Sequence, residues 1–161
     1  MTILAIDQGT TSTRALLVEK SGASKIIKTL EHQQYYPKPG WVEHNPEELI
    51  HNIQACLDCS EKYISIGIDN QGESCLAWDT ETKQAITPVI VWQDNRTHQT
   101  IDRLKLENSQ DLVIEKTGLP LDSYFSATKL AWIMKNIPEA QKLQKLGKLR
   151  LGTTDAFFLD R

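Results

Sequence analysis

A chain of 161 residues, 40% hydrophobic and 24% charged, is long enough to bury the core of one domain and has ordinary globular composition. Its formal net charge of −3 and pI near 5.8 leave no basic surface for nucleic acid. No apolar run approaches the length of a membrane span.

In chain order, residues 2–6 and 13–18 are apolar runs around a polar bend, which predicts two antiparallel strands joined by a tight turn. The bend holds Asp7, Gln8, Gly9, Thr10, Thr11 and Ser12, and Arg14 lies just inside the second run. Gly9 permits close backbone approach to a ligand, the hydroxyls donate hydrogen bonds, and the fork of a guanidinium matches phosphate oxygens. Asp7, a carboxylate at a strand end beside a glycine turn, suits the Mg²⁺ that accompanies a polyphosphate. The plainer alternative makes Asp7 a turn residue bonded to its own backbone and Arg14 a solvated strand arginine. The Gly-Lys-Ser/Thr ending of a Walker A loop is absent.

Residues 19–24 read as a hairpin turn, 25–34 as a third strand, and 35–41 as a break imposed by Pro37, Pro39 and Gly40. A helix then starts with Asn45 as N-cap, Pro46 in the first helical position and Glu48 where a capping-box acid belongs. Its apolar face is Leu49, Ile50, Ile53, Cys56 and Leu57. Strands are predicted over 64–68, 73–78 and 85–92, and helices over 97–107, 109–116 (stopped by Gly118) and 128–136 (ended by Pro138). Residues 149–151 suggest a short strand, and Thr153 the cap of a final helix. Strands early and helices late imply an α/β or α+β domain around a mixed sheet. Ile6-Asp7-Gln8-Gly9 is faintly echoed by Ile68-Asp69-Asn70-Gln71-Gly72, a similarity that chance suffices to explain.

Cys56 and Cys59 form a CxxC pair near the end of a helix rather than at its start, where thiolates are activated, so packing is the expected role. Three cysteines, and an N-terminus without a basic segment leading into an apolar one, point to a reducing, cytoplasmic setting. Asn95-Arg96-Thr97 matches the glycosylation acceptor pattern without the secretion signal that would give it meaning, and residues 142–148 read as a solvated lysine-bearing helix face.

The stretch Ile6-Asp-Gln-Gly-Thr-Thr-Ser-Thr-Arg-Ala15 resembles the opening phosphate loop of the FGGY carbohydrate kinases, members of the actin, hexokinase and Hsp70 ATPase superfamily. Four further stretches follow in the order of the glycerol kinase branch of that family: Gly40-Trp-Val-Glu-His-Asn-Pro-Glu-Glu-Leu49, Val91-Trp-Gln-Asp-Asn-Arg-Thr97, Gly118-Leu-Pro-Leu-Asp-Ser-Tyr-Phe-Ser-Ala-Thr-Lys-Leu130 and Leu151-Gly-Thr-Thr-Asp155. The resemblance implies a ribonuclease H-like ATPase domain with a mixed sheet opened by antiparallel strands and flanked by helices. It implies ATP and Mg²⁺ as cofactors, with Asp7 near the metal and Gln8–Arg14 facing the phosphates, and a small polyol or sugar as substrate held by Glu73, Trp92 and Tyr124. The family pattern at 70–73 is Asn-Gln-Arg-Glu, whereas this chain has Gly72 in place of the arginine. Residues 1–161 are thereby expected to be an incomplete N-terminal kinase domain. Its general base and its C-terminal domain would lie outside this chain, so the chain alone is expected to be inactive. Apolar surface left uncovered would favour self-association.

Overall fold

The computed structural model describes residues 2–59 and 63–161. The opening hairpin is β1 (Thr2–Gln8) and β2 (Ser12–Glu19), antiparallel, with Gln8 opposite Thr13 and Asp7 opposite Arg14. β1 alternates as a half-buried strand should, with Leu4, Ile6 and Gln8 buried on one face. β3 (Ser24–Glu31) continues the antiparallel ladder beyond β2. The predicted third strand ran to residue 34, but the chain leaves the sheet at His32, and β4 (Gln34–Tyr35) and β5 (Glu43–His44) belong to a second sheet.

α1 (Pro46–Leu57) follows, with the Asn45 side chain accepting from the Glu47 N–H at 2.9 Å. Glu48 does not close the expected capping box. Its carboxylate accepts instead from the Gln33 N–H at 3.1 Å and so ties the helix start to the segment between the sheets. β6 (Ser65–Asp69) adds to β1 in parallel, so the first sheet runs β3-β2-β1-β6. The mixed sheet opened by antiparallel strands is thus present, and the Ile6/Ile68 and Asp7/Asp69 echo falls on register neighbours in it.

β7 (Cys75–Asp79), β8 (Val89–Ile90) and β9 (Leu149–Thr153) complete the second sheet in the order β4-β5-β8-β7-β9, antiparallel throughout. The predicted strand over 85–92 shrinks to two residues, because Pro88 lacks an N–H for the ladder and Ala85 makes only an isolated bridge to Trp78. The helices are α2 (His98–Leu106), α3 (Gln110–Thr117), α4 (Ser126–Asn136), α5 (Pro138–Lys145) and α6 (Thr154–Asp160). Gly118 ends α3 in the left-handed region at φ 74°. Pro138 both ends α4 and occupies the first turn of α5.

Three cores hold these layers together. Ile53 and Cys56 of α1 pack on Leu4, Ile6 and Ala15 of the first sheet. Leu49, on the same helix, joins Leu76, Trp78, Val89 and Phe157 against one face of the second sheet. Cys75, Ala77 and Ile90 on its other face meet Ile133 and Ala140 of α4 and α5. α1 thus packs on both sheets, and the candidate residues lie at the end of β1, the start of β2, just after β8 and just before β7 and α4.

Candidate active site

The bend between β1 and β2 is a three-residue loop, Gly9, Thr10 and Thr11, closed by the Gly9 N–H donating to the Ser12 carbonyl at 2.9 Å. Gly9 does not adopt a left-handed φ, and an added Cβ would lie 3.4 Å from the Ser12 oxygen and 3.7 Å from Asp7 Oδ1. Both are ordinary van der Waals distances, so neither backbone strain nor crowding demands a glycine at this position. The N–H groups of Thr10 and Thr11 donate to nothing among the described residues. Thr11 is exposed, and Arg14 Nη1 lies 3.7 Å from Asp7 Oδ2 with both side chains about half exposed. Free donors, one carboxylate and one guanidinium thus share the tip of a hairpin.

Not every predicted residue faces that tip. Gln8 is fully buried, and its Nε2 donates to the Gly9 carbonyl at 2.8 Å. Ser12 is buried too, so both hold the bend from beneath. The bend is further anchored by groups that the sequence did not single out. Gln71 Nε2 donates to the Gly9 carbonyl at 3.1 Å and Gln8 Oε1 at 3.2 Å, and His32 Nε2 donates to the Thr10 carbonyl at 2.9 Å. His32 packs edge-on against buried His44 with ring centroids 4.6 Å apart. Burial lowers both imidazoles, His44 to about 4 with its neighbour His32 adding to the effect. Both rings are therefore neutral near pH 7.

Trp92 lies beside the bend, and its indole Nε1–H donates to Thr10 Oγ1 at 3.1 Å. The Tyr124 ring sits 5.6 Å from the Trp92 ring. Glu73 is half-buried, with Oε2 accepting the Ser126 N–H at the start of α4 at 2.7 Å and Oε1 unpaired among the described residues. Beneath the aromatic pair is Lys129, fully buried on what the sequence presents as an apolar helix face. Its ammonium donates to the carbonyls of Tyr124 at 2.6 Å and Val91 at 3.5 Å, which fixes the two aromatics relative to each other. Burial holds the Lys129 pKa below the usual lysine range, while Cys75, Asp94 and Glu73 oppose that shift. Gly72 is exposed, and a Cβ added there meets no atom within 4 Å.

The profile of the FGGY family of carbohydrate kinases, N-terminal domain, matches residues 2–156. The chain belongs to that family. Glycerol kinase of Burkholderia cenocepacia is 45% identical over 98% of this chain, of which the chain covers 33%. A crystal structure of Plasmodium falciparum glycerol kinase with ADP superposes with a TM-score of 0.83 at 31% identity, over 97% of this chain and 33% of that one. Xylulose kinase from Lactobacillus acidophilus shares the fold, with a TM-score of 0.82 at 20% identity over 98% of this chain and 32% of that one. The chain thus spans about a third of the length of these relatives.

Much of what makes this FGGY sequence recognisable is structural. Arg96, from the Val91–Thr97 stretch, bonds Asp94 at 2.8 Å and Glu43, from the Gly40–Leu49 stretch, at 2.7 Å. Its guanidinium also lies 3.8 Å from the Trp41 ring centroid and 4.8 Å from that of Trp132. Asp94 further accepts the Val42 N–H at 2.7 Å. Of the cysteines, Cys56 is core and the Cys59 thiol donates to the Cys56 carbonyl at 2.9 Å.

The donor set at the bend suits Mg²⁺ held mainly by water and phosphate. Asp7 is half-exposed at its strand end, and Asp69 stands beside it in register. The described residues contain no cluster of three or more metal-ligating side chains. One or two carboxylates plus phosphate oxygens is the ordinary arrangement for this ion in nucleotide sites.

Proposed function

We propose that this chain is the nucleotide-phosphate and substrate half-site of an ATP-dependent polyol kinase of glycerol kinase type, which passes the γ-phosphoryl group of MgATP to a substrate hydroxyl. The observation that carries the reading is the adjacency of two groups of residues. The hairpin tip with its free Thr10 and Thr11 N–H groups, Asp7 and Arg14 is joined by one hydrogen bond to Trp92 and, through it, to Tyr124. In this reading the tip N–H groups, the Thr10 and Thr11 hydroxyls and Arg14 bind phosphate oxygens. Asp7 would hold the Mg²⁺, which when bound neutralises phosphate charge. Trp92 and Tyr124 wall the carbon skeleton, and Glu73 Oε1 accepts from substrate hydroxyls. Phosphoryl transfer depends on positioning and charge neutralisation from both sides of the nucleotide, and no general base is assigned within these residues, so the chain alone should bind without turnover. The reading also places the protein in the cytoplasm, where ATP and small polyols are available.

Titration of the isotopically labelled chain with MgADP tests this directly. We expect the Thr10, Thr11 and Arg14 amide signals to move while α5 stays fixed, and a coupled kinase assay on the chain with ATP and glycerol to stay at background. Amides that do not move at the tip would remove the nucleotide assignment.

A larger polyol or a pentulose is the second reading. It is favoured by the open space at Gly72, where an added Cβ would meet no atom within 4 Å. A charge-assisted bond to a hydroxyl contributes roughly 1.5–3 kcal/mol, so Gly72→Arg in a complete enzyme should tighten glycerol binding about tenfold to a hundredfold. Unchanged glycerol affinity would count against the polyol pocket, and weaker binding of a pentulose in the same variant would favour the second reading.

A further inference from the structure

The hydrogen bonds around the bend form a closed circuit whose two arms both start from donors on Trp92 and end on the bend. Gln71 Nε2 donates to the Gly9 carbonyl, Ser74 Oγ donates to Gln71 Oε1 at 3.3 Å, and the Trp92 backbone N–H donates to Ser74 Oγ at 3.1 Å. The Trp92 indole N–H then returns to Thr10 Oγ1, one residue from Gly9. Gln71 and Ser74 are buried, so the circuit is fixed from inside the molecule. An indole nitrogen can only donate. Thr10 Oγ1 must therefore accept from Trp92, which leaves its own hydrogen free to point away from the protein. A hydroxyl that accepts one hydrogen bond is a stronger donor in the next.

We propose that Trp92 couples the two ligands: its ring faces the polyol while its indole N–H primes the Thr10 hydroxyl as a donor to the nucleotide phosphate. This rests on the phosphate and polyol assignments above and adds to them a thermodynamic link. Phosphate bound to the Thr10 hydroxyl strengthens the bond from the indole and stiffens the ring. Polyol packed on the ring holds the indole N–H on Thr10. Each ligand raises the affinity for the other by the same factor. Trp92 is in this respect a positioning residue for the phosphate, acting through Thr10.

The test uses the labelled chain with MgADP as the probe and takes Trp92→Phe, Thr10→Val and the double variant. Phenylalanine keeps a smaller aromatic wall and lacks the donor, and Trp92 is partly exposed, so the fold should survive. We expect MgADP affinity to fall about threefold to tenfold in Trp92→Phe, the range for loss of one neutral hydrogen bond. The same substitution should have no further effect in the Thr10→Val background. In the unsubstituted chain, the Trp92 indole N–H signal should shift along with the Thr10 and Thr11 amides, and saturating glycerol should tighten MgADP binding. If the tip amides shift while the indole signal stays put and the two substitutions add independently, the coupling is wrong and the phosphate site stands. If neither the tip amides nor the indole respond to MgADP, the phosphate site and the coupling fall together.

Discussion

His44 shows how a residue without a ligand can govern a binding loop. It is fully buried, its Nδ1 lies 3.5 Å from Gln71 Nε2, and its Nε2 has no partner among the described residues. The folded protein binds a proton at His44 only near pH 4, whereas an unperturbed imidazole does so at 6.5. Between those values the unfolded chain holds more protons, so stability falls as pH drops from 6.5 towards 4. The shift corresponds to about 3 kcal/mol, with His32 adding in the same direction. Denaturant unfolding followed across pH 4–7 should show that slope, and His44→Gln should flatten it; an equal slope in the variant would assign the acid lability elsewhere. Arg14 is the contrasting case. Its ion pair with Asp7 is half-exposed at 3.7 Å, so removing it should cost well under about 1 kcal/mol of stability. Arg14→Ala should therefore leave the melting temperature nearly unchanged and weaken MgADP binding. A large loss of stability with intact binding would make Arg14 a structural residue.

Elements whose pattern is local could be read directly, and those set by a distant partner could not. α1 was legible because Leu49, Ile53 and Cys56 recur at helical spacing behind an Asn-Pro start, and they bury as that spacing requires. Its cap is a local bond, and Asn45→Ala should cost about 1 kcal/mol, read as a lowered unfolding midpoint. An unchanged midpoint would shift the credit to the Glu48 contact with Gln33. The end of β3 was illegible, since residues 25–34 stay strand-like in composition while the chain crosses to the other sheet at His32, held there by the Thr10 and Thr11 carbonyls. Lys129 misleads for the same reason. A lysine on a helix suggests solvent, and only the folded arrangement brings two carbonyls to its ammonium. The candidate site divides in the same way. Asp7 to Arg14 are contiguous and carry their chemistry openly. Glu73, Trp92 and Tyr124 are scattered, and they were found only through family resemblance. Gln71 entered only as part of the family pattern at 70–73, without a role, and Ser74 and His32 gave no signal, because an amide, a hydroxyl and an imidazole acquire meaning only once a carbonyl or an indole is placed against them.

For the molecule as a whole, the two sheets are finished very differently. The second has helices or loops on both faces, and four of the five residues of β7 are buried. The first ends at β6, where all five residues are exposed and no strand among the described residues pairs with the outer edge. Ile64, Ile66 and Ile68 are 64%, 46% and 43% exposed, and Ile3 on the adjoining strand is 42% exposed. An open edge with unpaired N–H and C=O groups, β-branched side chains and no lysine or proline to blunt it is a template for strand addition. We expect the chain in isolation to self-associate with increasing concentration, through this edge and not through the hairpin tip. Sedimentation velocity across a dilution series should show the shift. Ile66→Lys places a charge where the side chain is already half in water, so it should leave the melting temperature alone and return the chain to monomer. Lysine substituted at Leu146, exposed at the end of α5 and outside the first sheet, should change nothing. A monomer at every concentration, or association that survives Ile66→Lys, would show that the β6 edge does not act as the contact.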